Sequence, residues 1–250
     1  MSHIVTIRKV AIGAGRPKIC VPLVASTKAE LRKAAQELDG HPFDLVEWRI
    51  DFFEAMRNRK AVQETVQELR NILGDIPLLA TVRTLEEGGN QSITMEEYGE
   101  INRAVIATGL VDLIDVEVFR GDRLTETLVA AAHQAGVKVI GSNHHFDRTP
   151  PKEELIRRLR KMQELAVDVV KIAVMPHCER DVLTLLEATL SMKEQDFGTP
   201  VVSMAMGPLG VISRLTGAIF GSAMTFGTVG AASAPGQISA DQLHMILENL

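Results

Sequence analysis

Short apolar runs alternate with amphipathic helical stretches along the chain. The apolar runs predict eight strands, at 18–25, 43–51, 77–84, 111–118, 138–146, 167–176, 199–206 and 218–227. The stretches between them carry helix-start signals, such as Ser26 and Thr27 before the first helix, Thr149 ahead of two prolines, and Ser239 before the last helix. Eight such strand–helix units predict an α/β protein with a single (β/α)8 TIM barrel domain over residues 1–250.

An open doubly wound sheet is the alternative for this alternation. That fold usually carries a Gly-rich fingerprint after its first strand, whereas VASTKAEL follows the first strand here. The barrel is therefore favoured. Before the first strand, HIVTIRKVAIG predicts a short N-terminal β-hairpin that closes the bottom of the barrel.

Charged residues interrupt the apolar runs at alternate positions. The outer face of a barrel strand packs on helices, so the polar residues opposite the apolar ones should point inward. By this alternation Trp48 packs outward, and the inward positions are Glu47, Arg49, Thr81, Arg83, Asp115, Glu117 and Lys171. These residues lie in the middle or C-terminal half of their strands, where barrel active sites are built. The alternative is a buried ion-pair network without catalytic function.

Lys171 stands within VDVVKIAVMP, a run that otherwise predicts a buried strand. Three explanations are open: the side chain reaches an edge, it pairs with a buried carboxylate, or it works as a neutral amine. Burial and the nearby charges of Arg49 and Arg83 favour the neutral form. A neutral amine in a pocket can form a Schiff base with a ketone or aldehyde.

The preceding strand ends in SNHHF, which offers an imidazole for acid–base chemistry. Alternation lets only one of His144 and His145 face the interior, and the pattern does not choose between them. Asp115 is the candidate carboxylate for orienting His144. Two loops have the composition of a closing segment, namely VRTLEEGGNQ after the third strand and TFGTVGAASAPGQ after the eighth.

The overall charge narrows the range of partners. The net charge is −5 without a basic run, which argues against a nucleic-acid partner. Cys20 and Cys178 show neither CxxC nor zinc spacing and fit a reduced, cytoplasmic protein without a metal site. The first residues lack a signal peptide, and the uncharged stretch 215–240 is too rich in Gly, Ala, Ser and Thr for a membrane span.

Several motifs in order resemble the type I 3-dehydroquinate dehydratases. They are EWRID, ATVRT followed by EGG, IDVEVF, SNHHF before TP, VKIAVMP, SMAMGPLGVISR and ASAPGQ, and they span essentially the whole chain. The resemblance implies a hydro-lyase of the shikimate pathway that converts 3-dehydroquinate into 3-dehydroshikimate. It also implies a homodimer that needs no metal or organic cofactor.

The resemblance also assigns functions to residues. Lys171 would form the imine with the substrate ketone, His144 would shuttle the proton, and Glu87 would stand beside His144. The residues implied to bind substrate are Glu47, Arg49, Arg83, Arg214, Ser233 and Gln237. The first three would hold hydroxyl groups, Arg214 would clamp the carboxylate, and the last two would close from the lid. The family commonly has Asp where this chain has His145.

Two other functions fit parts of the pattern. A class I aldolase on the same barrel also uses an imine lysine, but Arg214 and the ASAPGQ segment favour a carboxylated, polyhydroxylated ring over a sugar phosphate. A noncatalytic barrel could bind a small acid or serve as an assembly subunit, and it would form no covalent adduct.

Overall fold

The computed structural model describes residues 4–195 and 198–250. A short antiparallel hairpin, β1 (Val5–Ile7) and β2 (Val10–Ile12), precedes a sheet of eight parallel strands. The eight strands are β3 (Lys18–Leu23), β4 (Leu45–Arg49), β5 (Leu78–Thr81), β6 (Leu113–Glu117), β7 (Lys138–His145), β8 (Val169–Val174), β9 (Val201–Ala205) and β10 (Met224–Phe226). From β3 to β9 each strand pairs with the next, β10 pairs with β3, and an isolated bridge between Val201 and Ser222 joins the remaining edges. The predicted barrel is confirmed.

Helices follow the strands and surround the barrel. They are α1 (Lys28–Gln36), α2 (Arg59–Leu73), α3 (Met95–Ile106), α4 (Asp122–Gln134), α5 (Lys152–Glu164), α6 (Glu179–Glu194), α7 (Gly207–Leu215), α8 (Gly217–Phe220) and α9 (Ala240–Leu247). Thr27 and Ser239 cap α1 and α9 as predicted, each in a reciprocal capping box. Thr149 does not cap α5, because its hydroxyl donates to the Met175 carbonyl and Pro151 takes the cap position. No helix in the described ranges is long and apolar enough to cross a membrane.

The eighth strand is shorter than the sequence pattern predicts. The run 218–227 was expected to be extended throughout, but its first residues belong to the one-turn helix α8 and only Met224–Phe226 form the strand. Gly221, with φ of 103°, ends this turn. The run contains no charged residue, so neither a period of two nor one of 3.6 could be recognised in it.

Two separate apolar layers hold the barrel. The larger lies between strands and helices, and it contains Trp48, which packs edge-to-face on Phe53 with ring centroids 5.8 Å apart. The smaller fills the amino-terminal half of the interior with one side chain from each strand: Cys20, Leu45, Leu79, Leu113, Ile140, Val169, Val202 and Met224. Val5, Ile7 and Ile12 join this inner layer, so the N-terminal hairpin covers the bottom of the barrel as predicted.

Candidate active site

Above the apolar floor, the inward positions become polar. Glu47, Thr81, Asp115, Ser142 and Lys171 are all buried there, each on a different strand. The Thr81 hydroxyl donates to Glu47 at 2.8 Å, which ties β5 to β4. The alternation along the strands therefore predicted the inward direction of Glu47, Thr81, Asp115 and Lys171 correctly, and neighbouring strands bring such side chains into hydrogen-bonding contact.

Lys171 pairs with a buried carboxylate. Its Nζ lies 3.1 Å from Asp115 Oδ2 and 4.7 Å from the centre of the Phe226 ring. Against the opposing effect of burial, Arg83 and Lys171 lower the pKa of Asp115, so this carboxylate stays negatively charged. Of the three explanations open for Lys171, pairing with a buried carboxylate is the one that describes its contacts, and alternation did not show that Asp115 on β6 lies against the amine.

Arg83 is held from two sides by carboxylates. Its Nη2 lies 2.9 Å from Asp115 and its Nη1 lies 2.9 Å from Glu117, while Nη1 also donates to the Ser142 hydroxyl at 3.1 Å. Glu117 in addition accepts from the backbone N–H and the hydroxyl of Thr84. The guanidinium of Arg83 is thus a fixed part of the cavity wall.

Arg49 links the cavity wall to the lid. Its Nε and Nη2 each donate to Asp51 at 2.8 Å, which is a bidentate arrangement. Its Nη1 donates to the Ser233 carbonyl at 3.2 Å. Asp51 also accepts from the backbone N–H of Asn90 at 2.9 Å, so the pair anchors the loop after β5.

His144, not His145, lines the cavity. Its Nδ1 lies 2.9 Å from Glu87 Oε2, and its backbone N–H donates to the same oxygen at 2.9 Å. Glu87 is therefore the carboxylate that orients the ring. The expectation that Asp115 would do so is wrong, because Asp115 is bound by Lys171, Arg83 and Ser142.

Burial and charge set the protonation of this pair. Burial, together with Arg83, Lys171 and Arg49, lowers the pKa of His144 well below the usual range of an imidazole. Burial, together with the negative charge of Glu117, raises the pKa of Glu87. The imidazole is consequently neutral at neutral pH, which is the state required of a base.

A glycine turn places Glu87. Residues Leu85–Glu87 form a single 3-10 turn that ends at Gly88, where φ is +83°. A Cβ on Gly88 would lie 2.2 Å from the Phe146 ring, and one on Gly89 would lie 2.0 Å from the Arg83 carbonyl. The loop VRTLEEGGNQ is therefore packed against the barrel mouth and carries a site residue, in contrast to a freely moving lid.

Arg214 on α7 is a buried cation without a paired carboxylate among the described residues. Its Nη2 donates to the Pro235 carbonyl at 3.2 Å, Nη1 approaches the Met204 sulfur at 3.6 Å, and Nε has no partner. Burial lowers its pKa to about 10, so the guanidinium is still charged at neutral pH. Two donor groups of Arg214 are thus open to an anion: Nε, which has no partner, and Nη1, which contacts only a sulfur atom.

The segment after β10 closes the site. Ser233 and Gln237 bond to each other, through Ser233 N to Gln237 Oε1 at 2.9 Å and Gln237 Nε2 to Ser233 Oγ at 3.1 Å. Both residues line a cavity of about 40 Å³, which has room for only a few water molecules. The cavity is also lined by Glu47, Arg49, Arg83, Glu87, His144, Lys171 and Arg214.

All nine residues assigned by resemblance thus meet around one cavity. The sequence interpretation assigned nothing to Phe226, which lies beside Lys171, or to Ser142 and Asn143 of the SNHHF motif. Ser142 lies two residues before His144 on the same strand, so alternation would have placed both side chains inward. No pattern in the sequence indicates the contact of Asn143 with Glu87. No group of three or more His, Cys, Asp or Glu side chains in 4–195 and 198–250 is placed to hold a metal ion.

Comparison with known proteins decides the family. The protein-family model described as Type I 3-dehydroquinase matches residues 19–250. The chain belongs to the type I 3-dehydroquinase family. It is therefore an enzyme of the hydro-lyase class of carbon–oxygen lyases.

Relatives match over nearly their full length. The chain is 50% identical over 250 residues to 3-dehydroquinate dehydratase of Clostridioides difficile (strain 630), covering 100% of this chain and 98% of that protein. It is 48% identical over 243 residues to 3-dehydroquinate dehydratase of Salmonella typhimurium, covering 97% of this chain and 96% of the relative.

Solved structures share the fold. The type I 3-dehydroquinate dehydratase from Clostridium difficile with covalently modified comenic acid has a TM-score of 0.97 at 50% identity, over 100% of this chain and 98% of that one. The 3-dehydroquinate dehydratase from Geobacillus kaustophilus has a TM-score of 0.96 at 38% identity, over 99% and 96% of the two chains. This chain therefore shares the barrel fold of these type I 3-dehydroquinate dehydratases.

Proposed function

We propose that this enzyme dehydrates 3-dehydroquinate to 3-dehydroshikimate through a Schiff base on Lys171, with His144 as general acid and base. The observation that carries the proposal is that the amine of Lys171 and the imidazole of His144 line one cavity. The buried and unpaired Arg214 supports an anionic substrate for the same cavity.

The imine changes the acidity of the substrate. Lys171 transfers a proton to leave a neutral amine, and the carboxylate of Asp115, which Nζ contacts at 3.1 Å, is the group placed to take that proton and to return it when the imine forms. The amine adds to the ketone carbon, water leaves, and a protonated imine forms. The imine nitrogen then draws electrons from the adjacent carbon, so the α-proton becomes removable by a weak base.

His144 is the weak base in this proposal. Its Nδ1 faces Glu87, which leaves Nε2 to accept the α-proton. The resulting imidazolium is stabilised by the carboxylate of Glu87, and it returns the proton to the departing hydroxyl group. Water then hydrolyses the product imine and releases Lys171.

The remaining residues recognise the ring. Arg214 exchanges the Pro235 carbonyl for the substrate carboxylate, because a planar guanidinium makes two charge-assisted bonds with a carboxylate. Glu47, Arg49 and Arg83 face the hydroxyl groups, and Ser233 and Gln237 close over them. A domain of residues 1–250, a homodimer and a cytoplasmic location stay predictions of the sequence.

The test is reduction with sodium borohydride in the presence of 3-dehydroquinate, followed by mass spectrometry of the intact protein and of its peptides. We expect loss of activity together with a substrate- or product-sized adduct on the peptide that contains Lys171. A folded protein that forms no adduct would refute the Schiff base. An adduct with other keto compounds but not with 3-dehydroquinate would favour the class I aldolase, in which a C–C bond breaks.

Replacing Arg214 should weaken substrate binding without weakening the fold. In Arg214→Met we expect KM to rise about 10- to 100-fold, which corresponds to loss of a charge-assisted hydrogen bond. Tm should stay level or rise, because the variant removes a buried cation that has no paired carboxylate in the described ranges. Steady-state kinetics and thermal unfolding provide the measurement.

Two comparisons sharpen this prediction. Arg214→Lys retains the charge but not the planar fork, so its KM should lie between those of wild type and Arg214→Met. Arg180→Met removes an exposed arginine from α6 and should leave KM unchanged. An unaltered KM in Arg214→Met would show that the carboxylate is bound elsewhere.

A further inference from the structure

A chain of hydrogen bonds leads from Glu87 to the outside of the barrel. Asn143, which is buried next to His144 on β7, donates from Nδ2 to Glu87 Oε1 at 3.0 Å. The Oδ1 of Asn143 accepts from Nη1 of Arg158 on α5 at 2.9 Å. Neither Asn143 nor Arg158 lines the cavity, so they act on the reaction only through Glu87.

We propose that Arg158, through Asn143, is a positioning residue that keeps Glu87 as the hydrogen-bond acceptor for His144. This inference deepens the proposed function and rests on it, because it concerns the state of the proposed base. We call the set Arg158, Asn143, Glu87 and His144 the relay.

The direction of every bond in the relay follows from Arg158. A guanidinium can only donate, so the amide oxygen of Asn143 must face Arg158 and the amide N–H must face Glu87. The backbone N–H of His144 is a second donor to Glu87. With two donors directed at it, Glu87 is favoured as a carboxylate. His144 Nδ1 must then carry the ring proton, and Nε2 keeps the lone pair that a base needs.

Glu87 requires this support because its surroundings oppose a negative charge. Burial and Glu117 raise its pKa to about 8, although Arg83, the Asn143 amide and the backbone N–H of His144 act in the opposite direction, so the carboxylate form predominates only above that pH. A protonated Glu87 would donate to Nδ1 and move the ring proton of His144 to Nε2. The imidazole would then present a donor where the reaction requires an acceptor.

Arg158 is itself held on two further sides. Its Nε donates to Glu154 at 2.7 Å, four residues earlier on α5, and its guanidinium carbon lies 4.4 Å from the centre of the Phe119 ring. The buried Nε2 of the neighbouring His145 has no hydrogen-bond partner among the described residues, so His145 does not draw Arg158 away from Asn143. Arg158 can therefore hold a constant position against Asn143.

The same helix provides a matched control. Arg157 donates to Glu154 at 2.6 and 2.7 Å, as Arg158 does at 2.7 Å, but its side chain is exposed and 61% accessible. Arg157→Met and Arg158→Met remove the same charge and one partner of the same glutamate. Only Arg158→Met removes the donor to Asn143.

The first measurement needs no substrate. In protein labelled with ¹⁵N-histidine, the ring nitrogen shifts of His144 report which nitrogen carries the proton, with His144→Ala used for assignment. At a pH above about 8, where Glu87 is ionised in wild type, we expect the Nδ1–H form in wild type and Arg157→Met, and a shift toward the Nε2–H form in Arg158→Met. An unchanged Nδ1–H form in Arg158→Met would overturn the proposal, whatever the catalytic activity.

The second measurement is the pH profile of kcat with 3-dehydroquinate. For Arg158→Met we expect kcat to fall about tenfold, the size of one hydrogen bond to a charged group, with KM within about twofold of wild type. The acidic limb of the profile should move to higher pH, because Glu87 takes up a proton more readily. Arg158→Lys can still donate to Asn143 and should restore part of kcat.

Further outcomes separate this inference from the proposed function. A lower kcat with an unmoved acidic limb would assign Arg158 a purely structural effect and refute the relay. If Arg158→Met does not fold, Asn143→Leu removes the next donor of the relay, the amide N–H that bonds to Glu87, and is expected to give the same ring shift and the same movement of the limb. If wild type forms no Lys171 adduct, the proposed function fails, while the ring nitrogen shifts still decide the relay.

Discussion

Replacing Lys171 with methionine is expected to lower kcat by more than about 10⁴-fold and to abolish the borohydride-trapped adduct. The methionine side chain has similar length and no nucleophilic nitrogen, so no imine can form. The fold should survive, because Asp115 retains its contacts with Arg83 and with the Ser142 hydroxyl. Mass spectrometry after reduction and single-turnover kinetics measure the two effects.

Lys138 provides the control for that experiment. It also lies on a barrel strand and pairs with an aspartate, since its Nζ is 2.9 Å from Asp168, but it stands at the start of β7, at the opposite end from His144, and does not line the cavity. Lys138→Met should retain both the adduct and kcat. A Lys171→Met variant that still dehydrates at more than a tenth of the wild-type rate would contradict covalent catalysis.

Replacing His144 with alanine should separate imine formation from proton transfer. We expect kcat to fall by about 10² to 10⁴-fold, the usual contribution of a positioned acid–base group. Lys171 remains in place, so reduction with borohydride should still attach the substrate to it. The variant should therefore accumulate an adduct of substrate mass, which intact-protein mass spectrometry can distinguish from the lighter, dehydrated product.

The adjacent histidine is the natural comparison. His145→Ala alters a side chain that does not line the cavity, so kcat should change by less than about threefold, as for a substitution outside the site. In wild type, kcat should fall as the pH is lowered, because a proton on either His144 or Glu87 removes the lone pair from Nε2. A large loss in His145→Ala with little loss in His144→Ala would reverse the assignment.

The direction of each strand side chain could be predicted, because it depends only on a period of two. Glu47, Asp115 and Lys171 face inward for this reason, and Trp48 faces outward. Their partners could not be predicted in the same way. Which inward residues meet depends on the stagger between strands, for example the pairing of Ser142 with Lys171 across β7 and β8, and this stagger leaves no periodic signal.

Loop residues were harder to predict from the chain itself. The position of Glu87 against His144 depends on a glycine turn that packs against Phe146 and the Arg83 backbone, and it was assigned only through resemblance. Physical reasoning alone chose Asp115, the acidic residue on the adjacent strand. The error is instructive, because a strand neighbour is predictable whereas a residue brought in by a tight turn is not.

The contacts between two arginines and the segment after β10 have a practical consequence for the search for inhibitors. Arg49 donates to the carbonyl of Ser233, and Arg214 donates to the carbonyl of Pro235. A carboxylate on an inhibitor would take the place of the Pro235 carbonyl on Arg214, as proposed for the substrate, whereas an uncharged fragment offers the guanidinium no opposite charge. A productive library for this enzyme would therefore begin with compact carboxylates.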